Sequence, residues 1–312
     1  MPEWLTERGI GETRHALVED GDIVETRIEL DGLRRAGTVI IARLVTAAAR
    51  NAVARDENGT EYLLPRGASG TTEGALLNLA ITREAIPGAE PWKRPLARTT
   101  DDAVRDAQPL ASRAAGRDEL SSAGWDDVVE QARSGLVSFA GGELLISPTP
   151  AMTLIDVDGR LAPNELAQLG AAEAAKAIRR LDLGGSIGID LPTASGKAAR
   201  QHAAAAIDAV LPQPFERTAV NGFGFVQIVR PRHRASLVEL AQDRAAFEAR
   251  HLLRRAALEP AGAKRLVAHP AIIAQLDDRS EWLEALSRQV GGAVGLRADP
   301  GLPMSGGYAE NA

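Results

Sequence analysis

GELLISPTPAMTLIDVDGR at residues 142–160 and RRLDLGGSIGIDLPTASGKAAR at residues 179–200 bound the segment that decides the fold, Glu143 to Arg200. Two apolar runs within it, Met152–Ile155 and Ile187–Ile189, each stop on an aspartate, Asp156 and Asp190. Each aspartate follows an isoleucine and opens a loop, Asp156-Val157-Asp158-Gly159 in one case and Asp190-Leu191-Pro192-Thr193 in the other. They lie 34 residues apart (190 minus 156), room for one helix and short loops, which predicts a β-α-β unit. Such a crossover is right-handed and returns the second strand parallel to the first. The carboxyl ends of both strands then share one sheet edge, with two or three carboxylates close together. Crowded carboxylates repel unless a cation joins them, and oxygen ligands favour Mg²⁺ or Mn²⁺. A plainer reading makes the same aspartates turn formers or helix N-caps, and spacing leaves both readings open.

Outward from this unit, LAPNELAQLGAAEAAKAIRRL predicts the crossover helix, with Pro163 in its first turn and an apolar stripe of Leu166, Leu169, Ala172 and Ile178. Lys176, Arg179 and Arg180 form a basic end suited to the helix dipole or to a phosphate backbone. Gly184-Gly185 is no phosphate loop. Ser195-Gly196-Lys197 matches only a fragment of the Walker pattern, whose first glycine would fall at Leu191; Lys197 is retained solely as an RNA contact. A second Ala-rich helix from Lys197 to Leu211 ends at Pro212-Gln213-Pro214. ERTAVNGFGFVQIVRPRHR then supplies two short strands and a phosphate-contact patch containing Arg230, Arg232 and Arg234, with His233 reading as solvent-exposed.

Toward the N-terminus, apolar alternation flanks Glu19-Asp20-Gly21-Asp22, which has hairpin chemistry. TVIIARLV, NAVARD, EYLLP and ALLNLAIT follow as strands, with a hairpin signal at Asn58-Gly59. Short strands in this length predict a small barrel of the oligonucleotide-binding type. Such barrels stack bases on aromatics, and Tyr62 is nearly the only candidate, alongside basic contacts from Arg66, Lys93 and Arg94. The expected organisation is an N-terminal hairpin at 1–35 packing on the core, a barrel at 36–99, and a linker or helical remnant at 100–134 with a helix at Trp125–Arg133. A catalytic α/β part at 135–235 and a helical C-terminal region at 236–312, with one last short strand and a flexible Gly-rich tail, complete it.

A hydrophobic fraction of 45% permits real cores, and a net charge of −6 argues against a generally basic nucleic-acid coat. The 36 Lys and Arg can still cluster into a local basic groove. The absence of Cys excludes disulfides, thiolate zinc sites and a cysteine nucleophile. Met1-Pro2-Glu3-Trp4 does not open a secretory signal, and no apolar run approaches the ~20 residues of a membrane span. A soluble, cytoplasmic protein is expected.

Several motifs together resemble the catalytic half of the ribonuclease E/G family. They are Ile155-Asp156-Val157-Asp158-Gly159, then Arg179 through Leu191 (RRLDLGGSIGIDL), then Asn221 through Arg230 (NGFGFVQIVR). GETRHALVEDGDIVETRIE and EGALLNLAITREAI fit the same family, and the resemblance spans about residues 9–99 and 135–235. It implies a mixed α/β (α+β) fold, with a DNase I-like/RNase H-like catalytic core and an inserted S1-type (OB) β-barrel. It implies that Asp156 and Asp190 bind one Mg²⁺, with Asp158 a catalytic neighbour where the family often has Asn. The chemistry implied is attack of a metal-activated water on an RNA phosphodiester, leaving a 3′-hydroxyl and a 5′-phosphate.

The chain departs from that family in four ways. The stretch after the barrel is short, which puts the 5′-phosphate sensing subdomain in question. Without Cys there is no zinc-linked dimer. Pro192-Thr193 stands where a further acid is common, and Gln227 where Glu is common. The leading expectation is a Mg²⁺-dependent endoribonuclease acting on single-stranded RNA. The alternatives are an RNA-binding protein of the same fold without efficient hydrolysis, and a structural partner without RNA affinity.

Overall fold

A computed structural model describes residues 2–87 and 93–312 of the chain. Residues 88–92, inside the expected barrel span, lie outside the described residues. The polypeptide divides into two compact units, each assembled from separated segments.

The first unit draws on residues 1–31, 112–129 and 240–312. Strand β1 (Glu3–Arg8), not foreseen in the sequence, pairs with β2 (Glu12–Glu19), which pairs with β3 (Asp22–Leu30). The β2–β3 hairpin turns at Asp20-Gly21, both with positive φ (53° and 96°), as the Asp-Gly signal requires.

The second unit begins with the barrel. Its strands are β4 (Val39–Thr46), β5 (Ala52–Arg55), β6 (Glu61–Leu64), β7 (Leu76–Arg83) and β8 (Leu96–Thr99). They close in the order β4-β5-β6-β8-β7, consistent with a barrel of the oligonucleotide-binding type. Alternation fills the interior with Ile40, Ala42, Leu44, Tyr62, Leu64 and Leu79.

Between the barrel and the large sheet come β9 (Arg113–Ala114), parallel to β1, and helices α1 (Glu119–Ser122) and α2 (Trp125–Ser134), where one or two helices are expected.

The large sheet comprises β10 (Leu136–Phe139), β11 (Gly142–Pro148), β12 (Thr153–Gly159), β13 (Gly185–Asp190), β14 (Glu216–Arg217) and β15 (Phe225–Arg230). Its order is β10-β11-β12-β13-β15-β14. Helix α3 (Pro163–Arg180) carries the chain from β12 to a parallel β13, the expected β-α-β crossover, and α4 (Gly196–Val210) packs beside α3. Ile155, Val157, Ile187, Ile189, Val226 and Ile228 form the buried side of the sheet, and α3 buries Leu166, Ala171, Ala174 and Ile178.

The C-terminal region belongs to the first unit, with α5 (Leu237–Leu240) at its border. It is not purely helical. Helices α6 (Arg244–Leu258), α7 (Pro270–Asp277) and α8 (Ser280–Val290) share a core with a sheet of β16 (Lys264–Ala268), β17 (Val294–Ala298) and β18 (Tyr308–Asn311). The expected flexible tail is therefore corrected: its last residues form β18, satisfied by antiparallel pairing with β16. Ile10 joins the same core, so the N-terminal hairpin belongs with this region in one unit. No helix among the described residues is long and apolar enough to cross a membrane.

Candidate functional site

Strand β12 alternates strictly, with Thr153, Ile155 and Val157 buried and Leu154, Asp156 and Asp158 exposed. It runs three residues past Asp156, so that residue lies within a strand rather than ending one; the buried Val157 carries the alternation onward. Asp190 is the last residue of β13. Asp156 and Asp190 are direct partners in the parallel register. Register partners on neighbouring parallel strands lie about 4.8 Å apart and present their side chains to one face, and both aspartates are exposed.

Two more acids adjoin them. Asp158 stands two residues further along the same face, and its partner across β11 is Glu143, also exposed. Asp158 Oδ1 accepts from Gly159 N (2.7 Å). Glu143 and Asp158, with Gly141, Gly142, Gly159 and Arg160, line an open cavity of about 450 Å³. Among the described residues Asp156, Asp190 and Glu143 form no ion pair. No group of three His, Asp or Glu residues among them converges as a metal-binding cluster. Mg²⁺ asks for less, holding one or two carboxylates and keeping its waters. A pair of unpartnered, solvent-facing carboxylates fits that requirement.

The rim beside Asp190 holds a residue that sequence reasoning missed. Phe223 is 83% exposed at the tip of the turn between β14 and β15. The turn is tied down on several sides. Asn221 Oδ1 accepts from Phe223 N (2.9 Å) and Phe225 N (3.1 Å), and Leu191 N donates to Gly224 O (3.3 Å). Gly224 has φ +94°, and a Cβ there would run into the Leu191 carbonyl. The phenyl ring is thus presented by a turn braced against the loop that leaves Asp190. On the same face Leu154 and Phe225 close over Gly188, and Gln227 Nε2 donates to Ser186 Oγ (3.0 Å). The signal was the glycine-flanked aromatic in NGFGF, read in the sequence only as part of a strand motif.

The predicted RNA contacts separate into three groups. Lys197, exposed in the first turn of α4, follows the loop that leaves Asp190; with Arg200 it lines a groove of about 390 Å³. Arg179, Arg180, Arg230 and Arg232 do not join the aspartates. Arg230 is the register partner of Gly185, at the opposite end of β13 from Asp190 and about 16 Å along the strand at ~3.3 Å per residue. There the arginines brace the chain. Arg230 Nη1 donates to Leu183 O (3.0 Å), Arg232 pairs with Glu239, Arg234 with Asp182 (2.9 Å), and Arg180 donates to Gln131 (3.2 Å).

The barrel residues form the third group. Tyr62 is 1% exposed, and its hydroxyl donates to Asp56 Oδ2 (3.0 Å). Burial, then the Asp56 charge, pushes its phenol well above the ordinary range. Tyr62 is a core residue and offers no stacking face, a correction to the sequence reading. Arg94 is half-exposed and paired with Glu61 (2.9 Å), and Lys93 is half-buried just ahead of β8.

Comparison with known proteins finds no matching family model and no matching curated protein.

Proposed function

We propose that this protein is a Mg²⁺-dependent endoribonuclease of the ribonuclease E/G type, with a DNase I-like core and an S1-type barrel, cutting single-stranded RNA. The observation that carries the reading is the register pairing of Asp156 and Asp190 on one exposed face. Those two carboxylates would hold the metal. When bound, Mg²⁺ supplies a water of lowered pKa and neutralises charge on the phosphate oxygens. Asp158, displaced along the same face, adds an acceptor that can orient a water. Phe223 offers an unstacked base a flat apolar surface, and base–aromatic stacking tolerates any sequence. Lys197 and Arg200 lie where a phosphate backbone passing that rim would be met. The cut strand would carry a 3′-hydroxyl and a 5′-phosphate.

The test uses a 5′-labelled single-stranded RNA with the wild type and Asp190→Asn, in Mg²⁺ and then in EDTA. Cleavage by the wild type in Mg²⁺, lost in the variant and in EDTA, supports the reading. A folded wild type as inactive as the variant refutes it.

One observation favours a second reading, an RNA-binding protein without turnover. Where an acid would strengthen the site, Gln227 instead engages its amide with Ser186, and Pro192-Thr193 adds no carboxylate. That protein would bind single-stranded RNA with strong salt dependence and yield no Mg²⁺-dependent products.

A further inference from the structure

The first unit contains a second concentration of charge, remote in chemistry from the aspartates. Arg14 on β2 and Arg250 and Arg254 on α6 are 1%, 6% and 5% exposed. Glu7 accepts from Arg14 Nη1 (2.7 Å) and from Arg254 Nε (2.9 Å) and Nη2 (3.2 Å). Glu12 meets Arg14 Nε and Arg250 Nε, each at 2.7 Å. Ser121 Oγ accepts from Arg254 Nη2 at 3.0 Å. Asp126 is 3.6 Å from Arg254 Nη1, too far for a hydrogen bond, and its side chain is 59% exposed.

This network is not closed. Arg14 Nη2 and Arg254 Nη1 are buried without a hydrogen-bond partner. Next to them lies a cavity of about 210 Å³, lined by Arg8, Arg14, Arg117 and Arg254 against the single carboxylate of Glu7, with Leu253 as apolar wall. Adding Arg250, Glu12, Asp126 and Asp31, whose charge bears on Glu12, gives five guanidinium groups against four carboxylates. Arg117 is held in place by the carbonyls of Leu258 (2.9 Å) and Glu259 (2.8 Å), which end α6.

Buried guanidinium N–H groups left without an acceptor are costly, and Arg14 Nη2 and Arg254 Nη1 are two such groups. Guanidinium groups pair best with planar or tetrahedral oxyanions, which they can meet through two parallel N–H donors. We propose that this cavity is a binding site for a phosphate-sized oxyanion, with Arg14 and Arg254 as its charged floor and Arg8 and Arg117 at its mouth. The site is independent of the nuclease reading, since none of its residues belongs to the unit that carries Asp156 and Asp190.

The experiment is calorimetric titration of the full chain with inorganic phosphate, ionic strength being held constant with chloride. Saturable binding is expected, with a concentration-dependent rise in Tm. Arg14→Gln can fail to fold, so the deciding variants are Arg8→Gln and Arg117→Gln, at exposed positions. Each should weaken phosphate binding roughly tenfold, the scale of a lost charged hydrogen bond, while the phosphate-free protein keeps its fold. AMP serves as a parallel probe: affinity equal to that for phosphate assigns the site to phosphate monoesters, and affinity for inorganic phosphate alone assigns it to the free ion. Absence of saturable binding overturns the proposal. So does saturable binding that both variants leave unchanged.

Discussion

Removing one charge from the Asp156–Asp190 pair should stabilise the metal-free protein, and the register sets the size of the effect. The two residues are direct partners on parallel strands, whose backbones run about 4.8 Å apart. Unit charges at that distance repel by roughly 1 kcal/mol in water and by roughly 3 kcal/mol at an effective dielectric of about 20. Both aspartates are exposed, so the lower figure applies. Asp190→Asn keeps the shape and deletes the charge, and should raise stability in EDTA by about 1 kcal/mol at low ionic strength. Asp156→Asn should do the same. The double variant should gain little beyond either single one, because the repulsion can be removed only once. At about 1 M salt the screening length falls to about 3 Å, and the gain should vanish. Mg²⁺ reverses the order, stabilising the wild type by mass action and the double variant hardly at all. Urea denaturation of the four proteins in EDTA, in EDTA with high salt, and in Mg²⁺ measures all of this. Strictly additive effects, or equal Mg²⁺ stabilisation of wild type and double variant, would refute the shared-site argument.

Phe223→Ala should weaken single-stranded RNA binding in EDTA about tenfold, in keeping with ~1–3 kcal/mol per stacked base, whereas Phe223→Trp should retain it; fluorescence anisotropy with a labelled oligonucleotide distinguishes them. Tyr62→Phe removes a buried hydrogen bond to the Asp56 carboxylate and should cost about 2 kcal/mol in a urea melt without altering RNA affinity. The Glu12 carboxyl feels burial, which raises its pKa, but the charges of Arg14 and Arg250 outweigh this and hold it below the ordinary value. Its folded-state pKa being depressed, its contribution is complete above the unfolded-state value of 4.5 and is lost as pH falls through the lower folded value. Glu12→Gln should therefore destabilise the protein by about 3 kcal/mol near neutrality and flatten the loss of stability on acidification, as followed by urea melts between about pH 3 and 7.

The central crossover is legible in the sequence because both of its signals are local: apolar runs of strand length, and a 34-residue gap filled by helix formers. The barrel is legible for the same reason, through Asn58-Gly59 and the short alternating runs. Alternation also contains the information that overturns two expectations. Tyr62 shares its side of β6 with Leu64, which makes it an inward residue, and Val157 continues the β12 pattern past Asp156. Other features are set by partners distant along the chain. Nothing near Arg234 in sequence announces that Asp182, 52 residues earlier, will engage it. The exposure of Phe223 depends on a turn closed by Asn221 and braced by Leu191. Strand β18 exists only because β16 offers it an edge.

The way the chain is divided sets an order of events on the ribosome. The unit holding the aspartates is complete in sequence at Glu239, whereas the other needs both its opening residues and strand Tyr308–Asn311. The 73 residues between those points (312 minus 239) take roughly 4–15 s to synthesise at about 5–20 residues per second. At the start of that interval the nascent N-terminal hairpin carries Ile10, destined for a core whose other buried members, Ala249 to Val290, are still to be translated. A chaperone that recognises short apolar β-segments would find its client in residues 3–30, and slowing translation of residues 240–311 would lengthen the encounter.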